Sequence, residues 1–117
     1  MSFTLQTGPK IVRREVTVKE PMNGTGFKAH KLLIDFEVIP KSEAVDLSKD
    51  GDSPLLMTVI KGWGDPKRDG RGGVENADGT PVPFSEEALA QLVDIPWVST
   101  GLARAYMDTA YGGKLGN

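Results

Sequence analysis

Alternation of apolar and charged side chains over residues 27–39 restricts the fold of this chain more than any other feature of its sequence. In that segment, FKAHKLLIDFEVI, every second residue from Leu32 to Val38 is apolar, whereas Lys31, Asp35 and Glu37 take the opposite parity. A period of two is typical of a β-strand with one buried and one solvated face. The segment IVRREVTVK at 11–19 is rich in β-branched residues, and the turn-forming EPMNGTG lies between the two segments. We therefore predict an antiparallel β-hairpin over about residues 11–39.

A hairpin by itself is only marginally stable in water, so its apolar face must be covered by another element. Helical segments at about residues 54–61, 85–94 and 96–111 are the candidates for that cover. The first of them follows a Ser-Pro pair, which suits a helix start. Its Thr-Val-Ile content also suits a strand, so residues 55–61 stay open between helix and strand.

The stretch PFSEEALAQLVDIPW sets the boundary between the second and third of these helices. Ser85 is a good N-cap, and the two Glu that follow it suit the positive end of a helix dipole. Phe84 and Leu89 have the spacing of a hydrophobic staple. Pro96 disfavours helical geometry at the residue before it and suits the first position of a new helix. We expect Trp97 to plug the corner between the two helices.

Together these elements predict a single α+β domain over residues 1–117, in which two or three C-terminal helices cover an antiparallel hairpin or small sheet. Residues 1–10 are expected to form a flexible arm. Residues 62–80 contain six glycines and are expected to form an exposed, mobile loop. An Asp-Gly pair near the end of this loop predicts a small hairpin between Val74 and Val82.

Composition excludes several classes of function. The chain has no Cys and only one His, His30, so disulfides, thiol catalysis and His-based metal clusters are excluded. We interpret His30 as a partly exposed strand residue. Nucleophile-elbow and phosphate-loop spacings are missing, no apolar run approaches the roughly 18 residues of a membrane span, and MSFTLQTGPK lacks the pattern of a secretion signal. We expect a non-enzymatic protein of a reducing cytoplasm, with neither a cofactor nor a membrane partner.

Charge gives little support to nucleic-acid binding. The net charge is −2, so no basic field surrounds the chain. The Gly-rich segment is locally basic, with cations at Lys61, Lys67, Arg68 and Arg71. Two aspartates interrupt these cations, and no aromatic ladder accompanies them. Nucleic-acid binding through this loop is the third hypothesis.

The missing catalytic motifs favour a binding module over an enzyme. Aromatic residues and Met are common anchors of protein interfaces. Core packing is the competing interpretation for each of them, and it is strongest for the tryptophan at the helix corner. The candidate partner-binding residues are Trp63, Trp97, Tyr106, Met107 and Tyr111.

The sequence GVENADGTPVPFSEEALAQLVDIPWVSTGLARAYMDTA resembles the C-terminal part of small tail assembly chaperones of long-tailed phages and prophages. The resemblance covers roughly residues 74–111 and includes PVPFS, a Leu-rich helix, DIPWV and a helix that contains Ala-Tyr. The pair Gly62-Trp63 and the upstream KLLIDFEVIPKSEAVDL are similar to further parts of the family pattern. The stretch GDPKRDGRG departs from that pattern as an insertion.

This resemblance implies a non-enzymatic role in building the tail, in the host cytoplasm during virion assembly. Such a protein is expected to bind the long helical tape-measure protein, keep it soluble and help to recruit tail-tube protein. The alternative is a structural virion component, such as a tail-tube or tail-terminator subunit, which would assemble into rings and stay in the particle. The sequence leaves open both the oligomeric state and the face that binds a partner.

Overall fold

The computed structural model describes residues 2–5 and 8–112. Three strands form an antiparallel sheet in the order β1–β2–β3: Lys10–Pro21 (β1), Phe27–Val38 (β2) and Ile60–Trp63 (β3). The first two strands pair over their whole length, from Lys10 opposite Val38 to Pro21 opposite Phe27. The predicted hairpin is therefore confirmed, and a third strand extends it.

Four α-helices follow the hairpin in the described part of the chain, two before and two after a second, two-stranded sheet. The helices are Lys41–Leu47 (α1), Ser53–Val59 (α2), Glu86–Val93 (α3) and Pro96–Ala110 (α4), and a 3-10 turn spans Ser48–Asp50. The strands of the small sheet are Val74–Glu75 (β4) and Pro81–Val82 (β5). The α+β class and the small hairpin are thus confirmed. None of the described helices is both long and apolar enough to cross a membrane.

A single apolar core lies between the three-stranded sheet and the helices. Val16 and Val18 of β1 point into it, and so do the alternate apolar residues of β2. Helix α4 packs on β1 so closely that a Cβ added at Gly101 would lie 2.7 Å from Cγ1 of Val18. The side chain of Ser85 accepts a hydrogen bond from the N–H of Ala88 at 3.0 Å, which confirms the predicted cap of α3.

Residues 54–61 are divided between two elements, which corrects the single helix predicted for them. Helix α2 ends at Val59, and Ile60 has extended backbone and begins β3. Asp52 occupies the cap position, so Ser53 is the first helical residue. The physical reason is the edge of β2: Ile60 lies opposite Phe36 there, and pairing with an open strand overrides the helical preference of a local sequence.

The N-terminal arm and the Gly-rich segment have bounds that differ from those predicted. Lys10 already belongs to β1, and residues 2–5, 8 and 9 belong to no helix or strand, while residues 1, 6 and 7 of the predicted arm lie outside the described residues. Gly62 and Trp63 belong to β3 because they pair with β2. The connection to β4 therefore begins only after Trp63.

Candidate partner-binding surfaces

Trp63 lies in the core and not on an open surface. Its side chain is only 4% exposed, and its indole Nε1–H donates to the carbonyl oxygen of Val82 at 2.9 Å. The ring of Phe84 meets it edge to face, with 4.9 Å between the ring centroids. A depression of about 380 Å³ opens beside these rings, between the start of the Gly-rich segment and Pro81. Trp63 therefore joins the end of β3 to the segment that leads into α3.

Tyr106 is also a core residue. Its side chain is 0% exposed, and its hydroxyl oxygen accepts a hydrogen bond from the N–H of Ile39 at 3.3 Å. The rings of Tyr106 and Phe36 meet in a T-shaped contact, with 5.8 Å between the ring centroids. Burial raises the pKa of Tyr106 above its ordinary value. Because the side chain is enclosed, it offers no surface to a partner in this structure, and we remove it from the set of candidates.

Trp97 packs on the hairpin and keeps part of its side chain accessible. Pro96 begins α4 directly after the extended residue Ile95, so the chain turns sharply at this point. The Trp97 ring then stacks on His30 of β2, with 5.7 Å between centroids. His30 is partly exposed, as predicted, and its Nε2 lies 2.8 Å from Oε1 of Glu20. Trp97 thus both fixes the corner and lines a surface depression of about 390 Å³ beside Phe27, which is 67% exposed.

Met107 and Tyr111 lie together at the other end of α4. Met107 is partly buried, whereas the Tyr111 side chain is 44% exposed. With Val45 of α1 they line a depression of about 230 Å³ between the two helices. Both residues therefore lie where a partner could reach them, and their role in binding stays a prediction.

The accessible candidates share one side of α4. At about 100° per residue, four residues of this helix and its C-cap residue fall within an arc of about 80° around the helix axis. We call them the α4 strip: Trp97, Thr100, Arg104, Met107 and Tyr111. The opposite side carries the buried residues Val98, Leu102 and Tyr106. The prediction from residue types missed Thr100 and Arg104, although their spacing of three and four residues from the apolar members was present in the sequence.

The Gly-rich segment is bound to the sheet at several points. Arg13 of β1 donates from Nε to Oδ1 of Asp35 and from Nη1 to Oδ1 of Asp69, both at 2.7 Å. The N–H of Leu33 donates to the carbonyl of Gly72, and its carbonyl accepts from the N–H of Gly64, both at 2.9 Å. These contacts hold both ends of the segment against β2 and its tip against Arg13.

The same contacts shift the proton affinity of two groups. The hydrogen bond from Arg13 to Asp35 contributes most to raising the pKa of Arg13. The backbone N–H of Asp65 donates to Asp69, and this bond, followed by that from Arg13, lowers the pKa of the Asp69 carboxyl. Both groups therefore stay charged over a wider range of pH than they would in an unfolded chain.

Most cations proposed for nucleic-acid binding face carboxylates of the chain itself. Lys61 Nζ lies 3.4 Å from Oε1 of Glu37, Arg68 lies 3.4 Å from Asp69, and Arg71 pairs with Glu15. These pairs lower the positive potential that a phosphate backbone would meet. Among residues 2–5 and 8–112, no group of three acidic or His side chains is arranged to hold a metal ion.

Comparison with known proteins returned no match, since no family model, no curated protein and no solved structure is significantly similar to the chain. The resemblance to tail assembly chaperones therefore rests on the motifs alone. In the structure the first of these motifs, from Trp63 to Phe84, are in contact with one another. Val74 pairs with Val82, Val82 accepts the indole hydrogen bond of Trp63, and the segment continues through the capped start of α3 to the corner at Trp97.

Proposed function

We propose that this chain is a tail assembly chaperone, which binds the tape-measure protein of a long-tailed phage through the α4 strip. By covering that protein it would keep it soluble in the host cytoplasm and assist the recruitment of tail-tube protein. The role is one of binding and not of catalysis. The observation that carries the proposal is the strip itself, in which Trp97, Met107 and Tyr111 lie on the accessible side of a helix whose other side is in the core.

The spacing of the strip suits a helical partner. Its five members are separated by three, four, three and four residues, which is the repeat that brings side chains of two packed helices together. The strip is roughly 20 Å long at 1.5 Å per residue, enough to contact about four turns of a second helix. The tape-measure protein, which the resemblance describes as long and helical, offers such apolar stripes repeatedly.

The depressions at the two ends of the strip suit large apolar side chains. One lies beside Phe27 and Trp97, and the other lies beside Val45 and Tyr111. Buried anchors in such sockets supply most of the free energy of binding at protein interfaces. Arg104 lies exposed between them and favours a partner helix that places an acidic residue between its apolar positions.

Co-expression with the tape-measure protein of the same phage or prophage tests the proposal. We expect the chain to increase the soluble fraction of the tape-measure protein and to co-purify with it. The double variant Met107→Ser/Tyr111→Ser should lose both effects because it removes one anchor group. Ile11→Ser is the matched control, since it removes an apolar side chain that is 59% exposed but lies outside the strip.

Two outcomes would contradict the proposal. One is a tape-measure protein that is no more soluble with the chain than without it, and the other is a strip variant that binds as well as the control. Mass spectrometry of purified particles distinguishes an assembly chaperone from the alternative, a structural component of the virion. A tube or terminator subunit would be present in the particles in many copies, whereas an assembly chaperone would be missing from them.

A further inference from the structure

The outer edge of β1 is open to another strand. Leu33 of β2 directs both its N–H and its carbonyl to the Gly-rich segment, so it faces away from β1. In an antiparallel ladder, two residues directly opposite each other direct their N–H and carbonyl groups either both toward the partner strand or both away from it. Glu15, which lies opposite Leu33, therefore directs its N–H and carbonyl away from β2. This orientation alternates along the strand. The β1 residues whose N–H groups point outward are Ile11, Arg13, Glu15, Thr17 and Lys19.

Space for an incoming strand lies beside this edge. Among the described residues, no backbone group from another element bonds to the outward face of β1. The depression of about 390 Å³ is lined by Thr17 and Lys19 on the strand side and by Thr100 and Arg104 on the α4 side. A long strand edge with free N–H and carbonyl groups is a template for a further strand.

The sequence of this edge is complementary to itself. When a second β1 is laid antiparallel about a two-fold axis at Thr17, Val16 lies opposite Val18, and Glu15 lies opposite Lys19. Arg14 then lies opposite Glu20. The axis generates each of these pairs twice, and all charged pairs over residues 14–20 are of opposite sign.

Neighbouring registers lack this complementarity. An axis at Val16 would place Arg13 opposite Lys19, and an axis at Glu15 would place two carboxylates opposite each other. Like charges directly opposite in a ladder are destabilising. The charge pattern therefore selects the axis at Thr17. At that axis the outward-facing residues Thr17, Glu15 and Lys19 also meet outward-facing residues of the other copy, as a hydrogen-bonded ladder requires.

We propose that two copies of this protein pair through β1 about Thr17 and form one continuous six-stranded antiparallel sheet. The pairing continues the buried row of Val16 and Val18 from one copy into the other. It also gives Arg14 and Lys19 partners of opposite charge, which neither has among the described residues of one copy. This interface uses the strand edge and goes beyond the function proposed for the α4 strip, although the two surfaces share the depression lined by Thr100 and Arg104.

Charge reversal tests the register in the full chain. The mass in solution, measured by sedimentation equilibrium over a range of concentrations, should be that of a dimer. Lys19→Glu and Glu15→Lys should each weaken the dimer by roughly tenfold, because each places like charges opposite twice. Mixing the two variants in equal amounts should restore the dimer, since both contacts then join opposite charges.

Backbone substitution tests the edge itself. Thr17→Pro removes an N–H that points away from β2, so it should abolish the dimer while the hairpin stays folded by circular dichroism. Ile11→Pro is the matched control, because its N–H also points outward but lies outside the paired residues 14–20. The proposal is overturned if the wild-type chain is a monomer at every concentration. It is equally overturned if a dimer persists unchanged in Thr17→Pro and Lys19→Glu.

Discussion

The two tryptophans of this chain are held in place in different ways. Trp63 ends a β-strand, is only 4% exposed, and donates its Nε1–H to the carbonyl oxygen of Val82. Trp97 lies at the start of a helix, stacks on His30 and packs, partly buried, against the core. The difference shows that an aromatic residue at a corner can be held in place while part of its side chain stays accessible. Only that second arrangement leaves area for a partner.

Alanine substitution should separate the two tryptophans most clearly. We expect Trp63→Ala to lower the free energy of unfolding by about 3–5 kcal/mol, as removal of an enclosed aromatic side chain does. Trp97→Ala should cost about 1–2 kcal/mol, because part of its ring is already in contact with water. Urea unfolding of both variants measures the difference.

The control for this comparison is Trp63→Phe. It keeps an aromatic ring but leaves the carbonyl of Val82 without its donor, so its cost should be about 1–3 kcal/mol. Equal losses in the two alanine variants would contradict the contrast between enclosure and stacking.

Two glycines extend the comparison to the backbone around each tryptophan. A Cβ at Gly64, next to Trp63, would lie 2.5 Å from the carbonyl oxygen of Arg71, whereas a Cβ at Gly101 would meet the side chain of Val18. We expect both alanine variants to be destabilised by about 1–3 kcal/mol, with Gly64→Ala the more severe, since backbone yields less than a side chain. Thermal unfolding measures both. Gly8→Ala, where a Cβ meets nothing within 4 Å, should leave the melting temperature unchanged.

The smallest expected effect concerns the pH dependence of the segment beside Trp63. The pKa of the Asp69 carboxyl lies below its ordinary value of 3.8, so its contribution to stability is complete above that pH. The contribution is lost as the pH falls through the lower folded pKa. The unfolding free energy of Asp69→Asn should therefore fall less steeply below about pH 3.8 than that of the wild type, as acid titration followed by fluorescence will measure. Asp50→Asn, an exposed carboxylate outside the segment, should keep the wild-type slope.

The hairpin and the start of α3 could be predicted because their determinants are local. The alternation in β2 and the cap at Ser85 each depend on residues within a few positions of one another. The change from helix to strand at Ile60 could not be predicted in this way. It depends on an edge of β2 that is open only after the sheet has formed.

The candidate surface could be predicted only in part. Residue types identified Trp97, Met107 and Tyr111, which are accessible, together with Trp63 and Tyr106, which are buried. The rotation of α4 about its own axis determines which of its side chains are accessible. That rotation is set by the close approach of Gly101 to β1. The bond between Arg13 and Asp69 joins residues 56 positions apart, so no local pattern indicates it.

The contact between α4 and β1 has a consequence for synthesis of the chain. Val18 and Gly101 are 83 residues apart, so translation at about 5–20 residues per second separates their emergence from the ribosome by roughly 4–17 seconds. During that interval the hairpin exists without the helix that covers it. Its apolar face and its free strand edge are then both open to other nascent chains. The domain becomes stable only when its last described helix has been made.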